Sequence, residues 1–134
     1  MSKAKVRILI VDDSLTTRKI IRRCLYDGGF ELIDEAGDGE QAWLKLAAAK
    51  SPYDLVVADW HMPVLLGLGL LQKIRASEKF KSVAVVMATA ERNKEEVAKV
   101  LKLGVTGYVV KPYESAVLLA AVQAALAKVG ETED

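Results

Sequence analysis

Val6-Arg7-Ile8-Leu9-Ile10-Val11-Asp12-Asp13-Ser14 is the stretch that decides how this chain folds. Apart from Arg7, the run from Val6 to Val11 is unbroken Val, Ile and Leu, without the polar alternation of a strand that keeps one face in water. Such a run belongs to a strand covered on both faces, and here it stops abruptly at two carboxylates. Leu55 to Ala58 and Val83 to Met87 repeat the pattern, and Gly107 to Val110 is a shorter version of it. Glu31 to Glu35 is more polar, which predicts a strand at a sheet edge.

The segments between these runs have helical period. Thr17, Ile20, Ile21, Cys24 and Leu25 form one apolar stripe, with Ser14 placed to cap it and Gly28-Gly29 to end it, while Arg18, Lys19, Arg22 and Arg23 mostly face water. Asp38 can cap a second helix carrying Ala42, Trp43 and Leu46. A third helix is predicted from about Leu68 to Ala76, weakened by Gly67 and Gly69. Val97, Val100 and Leu101 mark a fourth that stops at Gly104, and Val117, Leu118, Ala121, Val122, Ala125, Leu126 and Val129 mark a fifth. Strand and helix alternate five times, and strands joined by crossover helices run parallel with helices on both sheet faces. The expected fold is α/β, a three-layer sandwich.

Composition agrees with that reading. The 134 residues fit one domain, with a core over about residues 5–129 and a tail at 130–134. Hydrophobic residues at 51% against 28% charged exclude a disordered chain. Nineteen Lys and Arg against eighteen Asp and Glu give a net charge of +1, so there is no basic excess for a nucleic-acid or membrane-surface binder. The lone Cys24 cannot form an internal disulfide, and with the lone His61 it cannot make a zinc cluster. No apolar run reaches the roughly 18 residues of a membrane span, and Met1 to Lys5 lead into the first strand without a signal-peptide core. A cytoplasmic protein is expected.

In open parallel sheets, ligands bind beyond the carboxyl ends of the strands. Asp12 and Asp13 follow the first run, Asp59 the third, Thr89 the fourth, and Lys111-Pro112 the fifth. Taken singly, each is as well explained as a cap, a turn residue or a solvated charge. Together they place three carboxylates, a hydroxyl and an ammonium at one end of the sheet. Clustered carboxylates repel one another unless a cation neutralises them, and all-oxygen ligation with room for water suits Mg²⁺. A lysine and a hydroxyl opposite the cation suit phosphoryl transfer, with Asp59, after the middle run, as the nucleophile.

Ile8 to Ser14, Asp59-Trp60-His61-Met62-Pro63, Met87-Ala88-Thr89-Ala90-Glu91 and Gly107-Tyr108-Val109-Val110-Lys111-Pro112 resemble, in order, the motifs of response-regulator receiver domains, most closely the single-domain chemotaxis type. The resemblance implies a flavodoxin-like, five-stranded parallel sheet of order 2-1-3-4-5 with five helices. It implies Asp59 as phosphoacceptor and Mg²⁺ held by Asp12, Asp13, Asp59 and the backbone carbonyl of His61. Lys111 would contact the phosphoryl group, and Thr89 and Tyr108 would act as the switch. It further implies a histidine kinase or phosphotransfer domain as donor and a downstream target protein, such as the flagellar motor switch, as receiver of the signal. The expected protein is a monomer, with weak dimerisation as the variant, and it is no enzyme beyond assisting its own phosphorylation and dephosphorylation.

Two positions depart from the family pattern. Leu66-Gly67 stands where the family usually has Asp-Gly, so Leu65 and Leu66 are either buried or an exposed apolar patch, and His61 replaces a more usual Asn. An aspartate-nucleophile phosphatase of the haloacid-dehalogenase type would need a second Asp where His61 stands, and no glycine-rich nucleotide loop follows the first strand. A receiver-like interaction module that works without phosphate is the other alternative, opposed by the intact set of Asp12, Asp13, Asp59, Thr89 and Lys111.

Overall fold

The structure, a computed structural model, describes residues 2–59, 67–90 and 94–133, leaving aside the side chains of Leu68, Thr89, Glu96 and residues 130–133. After a 3-10 turn at Lys3–Lys5, the elements are β1 (Arg7–Val11), α1 (Leu15–Asp27), β2 (Leu32–Ala36), α2 (Gly39–Ala48), β3 (Leu55–Ala58), α3 (Gly67–Ala76), β4 (Ala84–Thr89), α4 (Lys94–Lys102), β5 (Gly107–Val110) and α5 (Ser115–Glu133). All strand pairs are parallel, in the order β2-β1-β3-β4-β5. The polar β2 lies at an edge, as its composition requires.

Side-chain alternation along each strand builds two cores. Ile8 and Ile10 of β1 point with Val57 and Val86 toward Ile21, Leu25, Leu118 and Val122, so α1 and α5 cover one face. Leu9 and Val11 point with Val56 and Met87 toward Leu46, Leu70, Ile74 and Val100, so α2, α3 and α4 cover the other. This is the three-layer sandwich, and both faces of β1 and β3 are dry because helices stand on each side.

Local signals set several helix ends. Ser14 Oγ accepts from Thr17 N at 3.2 Å, and Asp38 Oδ1 accepts from Gln41 N at 2.8 Å, each satisfying a free amide of the first turn. Gly29, at φ +104°, and Gly104, at φ +93°, take the left-handed conformation that closes α1 and α4. Several sequence expectations shift. Ile20, Leu101 and Val117 belong to apolar stripes yet are 62%, 59% and 51% exposed, because each stripe is wider than the sheet surface that covers it. α5 continues through Gly130 to Glu133, where a tail is expected from sequence.

The amino edge of the sheet is held by Arg75 at the end of α3. Its guanidinium donates to the carbonyls of Gly104 (2.9 Å), Lys81 (2.9 Å) and Val83 (2.7 Å) and to Thr106 Oγ1 (3.1 Å). A planar five-donor fork suits this task, since one side chain ties α3 to the entries of both β4 and β5. Arg75→Ala is therefore expected to cost about 2 kcal/mol in urea unfolding, by leaving several carbonyls without a donor. A loss too small to measure would mean that water replaces the guanidinium at no cost.

Candidate functional site

The site lies at the opposite, carboxyl edge, where strand order reverses between β1 and β3, the place at which ligands bind in such sheets. Val11 pairs with Ala58, so Asp12 and Asp59 leave adjacent strands at the same level. Their backbones continue the sheet for one more bond each: Asp12 N donates to Ala36 O at 3.2 Å and Asp59 N to Val11 O at 3.0 Å. Thr89 ends β4 paired with Val110, and Lys111 follows directly from β5 across a cis bond to Pro112.

Carboxylate oxygens of Asp12, Asp13 and Asp59 all lie within 4.8 Å of one another. Asp12 is buried at 2% exposure, Asp59 is half-buried and Asp13 is exposed. Asp12 Oδ1 accepts from Ser14 N at 2.8 Å. Lys111 Nζ reaches both remaining neighbours, standing 3.4 Å from Asp12 Oδ2 and 3.2 Å from Asp59 Oδ2. Among the described residues, one ammonium among three carboxylates leaves a negative excess that favours a divalent cation. An all-oxygen donor set fits Mg²⁺, with Asp12, Asp13 and Asp59 as the residues that would hold it.

Burial pushes the Asp12 carboxyl above its ordinary value, aided by the Asp59 charge, and the Ser14 amide and Lys111 offset this only in part. Tyr113, on the turn after Lys111, is pushed up to about 12 by burial, and the nearby carboxylates of Asp12 and Asp59 add to this, so its hydroxyl stays protonated.

Four sequence-predicted residues, Asp12, Asp13, Asp59 and Lys111, thus meet in space, and Thr89 ends a strand at the same edge. Tyr108 sits on β5 beside Met87, half-buried against the α2–α3–α4 core. His61, Leu65 and Leu66 lie outside the described residues, and so does the hydroxyl of Thr89. Arg18 corrects the expectation that the α1 arginines face water. Its side chain is only 16% exposed, and its Nη1 donates to the Asp12 carbonyl at 2.6 Å. Sequence hydropathy cannot see this contact, because it arises from a long side chain folding back over the first turn of α1.

A doubly wound parallel sheet with carboxylates and a lysine at its switch point defines a class of small α/β domains whose chemistry sits on strand-end loops. Within that class, the response regulator receiver domain family matches residues 8–123, and the chain belongs to that family, a CheY-like receiver domain of two-component signalling. It is 42% identical over 113 residues to chemotaxis protein CheY1 of Helicobacter pylori, covering 84% of this chain and 90% of that protein. It is 44% identical over 113 residues to chemotaxis protein CheY-3 of Vibrio cholerae, covering 84% and 85% respectively. The solved structure of chemotaxis response regulator CheY4 of Vibrio cholerae superposes with a TM-score of 0.81 at 31% identity, over 90% of this chain and 98% of that one. Among the described residues no helix is long and apolar enough to cross a membrane.

The raised Asp12 pKa fixes the sign of a pH effect. The folded chain holds the Asp12 proton more tightly than the unfolded chain. That contribution to stability is present below the ordinary aspartate value and is lost as pH rises through the folded one. In metal-free solution, Asp12→Asn should therefore gain on the wild type in unfolding free energy as pH rises across that window. A gain that shrinks with rising pH would show that Lys111 outweighs burial.

Proposed function

We propose that this chain is the phosphoacceptor response regulator of a two-component pathway, and that the pathway is chemotactic. It would take a phosphoryl group from the phosphohistidine of a histidine kinase or phosphotransfer domain. The observation that carries this reading is the placement of Lys111 Nζ at 3.2 Å from Asp59 and 3.4 Å from Asp12, with Asp13 completing the carboxylate cluster. An Asp59 carboxylate oxygen attacks phosphorus, a P–O bond forms as the P–N bond breaks, and the electron pair leaves with the donor imidazole nitrogen. Asp12, Asp13 and Asp59, with the backbone carbonyl of His61 by family resemblance, would hold Mg²⁺. When bound, Mg²⁺ supplies positive charge against the phosphoryl oxygens and the carboxylates. Lys111 would then turn from bridging two carboxylates to binding a phosphoryl oxygen, and the Thr89 hydroxyl would take another.

The product is a modified protein, with no separate substrate turned over. The chain assists only its own phosphorylation and dephosphorylation, acts in the cytoplasm and signals by protein contacts. Its near-neutral net charge of +1 supports protein targets over nucleic acid.

Acetyl phosphate with Mg²⁺ is the direct test, read by intact mass. The wild type is expected to gain one phosphoryl group and Asp59→Asn none, and chelation by EDTA should abolish the gain. Equal labelling of Asp59→Asn would overturn the assignment.

Output would pass through the face that β5 shares with α4 and α5. Tyr108 is half-buried on β5, paired with Met87 two residues before Thr89, and a change at the end of β4 would alter the space available to its ring. Coupling of this kind needs two states with different partner affinity. Tyr108→Ala should leave phosphorylation of Asp59 nearly intact and lower the affinity for the target, tested with the flagellar motor-switch protein. Loss of phosphorylation along with binding would instead mean a collapsed site.

A further inference from the structure

We infer that Arg18 is a positioning residue for the carboxylate cluster, holding the Asp12–Asp13 peptide in the orientation that brings the carboxylates together for Mg²⁺. The inference rests on the Mg²⁺-dependent reading of the site given above and assigns a role to a residue outside it.

Arg18 stands in the first turn of α1, and its backbone amide donates to Ser14 O at 3.0 Å. Its side chain folds back along the helix, and the two ends of the guanidinium do different work. Nε donates to Glu35 Oε1 at 3.0 Å, and Nη1 donates to the Asp12 carbonyl at 2.6 Å. Glu35, on β2, is itself fixed: its Oε2 accepts from Arg22 Nε at 2.7 Å, and its backbone carbonyl accepts from Lys45 Nζ at 2.5 Å. The guanidinium is thus held on one side by Glu35 of β2 and donates on its other side to the carbonyl of Asp12, the first residue of the site.

That carbonyl matters because β2 ends at Ala36, whose oxygen takes the Asp12 amide. Past this point the sheet ladder no longer sets the direction of the chain. The peptide unit is planar, so fixing the Asp12 carbonyl also fixes the Asp13 nitrogen and Cα. Asp13, exposed in the turn between β1 and α1, receives its position through that plane. Ser14 N holds Asp12 Oδ1 from the other side, so the turn is pinned at the carbonyl and at the carboxylate.

The charge of Arg18 works against the site, since a cation near bound Mg²⁺ is repelled. Its pairing with Glu35 offsets that repulsion, and what remains is geometry. A lysine could serve the carboxylate or the carbonyl but not both, whereas the guanidinium fork serves both from one plane.

Three variants separate the readings: Arg18→Ala, Arg18→Lys and, as control, Arg22→Ala. Arg22 shares Glu35 with Arg18 and donates to its other oxygen. Mg²⁺ affinity is measured by calorimetry, stability by thermal unfolding in EDTA, and phosphorylation by acetyl phosphate over a range of Mg²⁺ concentrations. Arg18→Ala is expected to bind Mg²⁺ about 10-fold more weakly, the scale seen when a group that orients a metal ligand is removed. Its phosphorylation should recover at saturating Mg²⁺, which a general loss of structure would not permit. Arg18→Lys, which keeps the charge and most of the side-chain packing, should lose affinity in the same direction. Arg22→Ala should lower the melting temperature and leave Mg²⁺ affinity unchanged. Tighter Mg²⁺ binding by Arg18→Ala would mean that charge repulsion dominates and would overturn the inference. So would equal weakening in Arg22→Ala, which would make the effect one of Glu35-linked stability. A wild type that neither binds Mg²⁺ nor gains a phosphoryl group overturns the functional reading itself, and is recognised before any variant is compared.

Discussion

Repulsion among Asp12, Asp13 and Asp59 is the constraint around which the carboxyl edge of the sheet is built. Oxygens of three carboxylates lie within 4.8 Å of one another, and Asp12 is almost wholly out of water. Desolvation and like charge both oppose ionisation there, and the raised Asp12 pKa registers that opposition. Lys111 bridging two of the three and the Ser14 amide on Asp12 Oδ1 answer it. The carboxylates and these groups come from the ends of β1, β3 and β5 and the start of α1, so the cluster forms only when those elements are assembled together. An edge suited to a cation is in this sense a property of the whole sheet.

The two ends of the sheet are resolved in opposite ways. At the amino edge the charged groups are closed by partners. Arg75 ties four acceptors together, Arg7 N donates to Asp54 Oδ2 at 2.9 Å, and the Tyr53 hydroxyl donates to Asp34 Oδ2 at 2.5 Å. Burial and that hydrogen bond to Asp34 push the Tyr53 hydroxyl up to about 12, so it stays a donor at any working pH. At the carboxyl edge, among the described residues, the negative charge of the carboxylate cluster exceeds what Lys111 supplies. Right-handed parallel crossovers bring every strand's carboxyl end to this side, so functional residues can accumulate there without disturbing the closed end.

Much of this was legible in the amino-acid sequence, for reasons tied to particular residues. Unbroken Val, Ile and Leu in Ile8 to Val11 require cover on both faces, and the acidic residues of β2 require an edge. Ser14, Asp38, Gly29 and Gly104 mark helix ends through local backbone chemistry that needs no tertiary context. The convergence of Asp12, Asp59 and Lys111 follows from strand polarity alone. What escaped depends on side-chain reach and on the width of contact surfaces. Arg18 and Arg22 look identical in a helical pattern, yet one touches the Asp12 carbonyl and the other does not. Ile20, Leu101 and Val117 fit apolar stripes but fall beyond the arc that the sheet covers. Gly130 reads as a stop, and α5 passes through it to Glu133.

The unequal burial of the carboxylates supports a division of labour that does not depend on family resemblance. The Asp12 side chain is 3% exposed and held by Ser14 and Lys111, so no phosphodonor can approach it from solution. Asp13 is exposed but stands in a turn, where its position depends on the neighbouring peptide. The Asp59 side chain, at 15% exposure, keeps a surface open to solvent and is fixed by a strand whose four residues are all buried. A nucleophile needs both access and a rigid mount, because a reacting oxygen displaced by even a small distance loses its alignment with the bond that breaks. Asp59 alone of the three combines them. Asp12 and Asp13 would then hold a cation together with Asp59, and under the function proposed above the Asp59 oxygen beside Lys111 would be the one that phosphorus reaches.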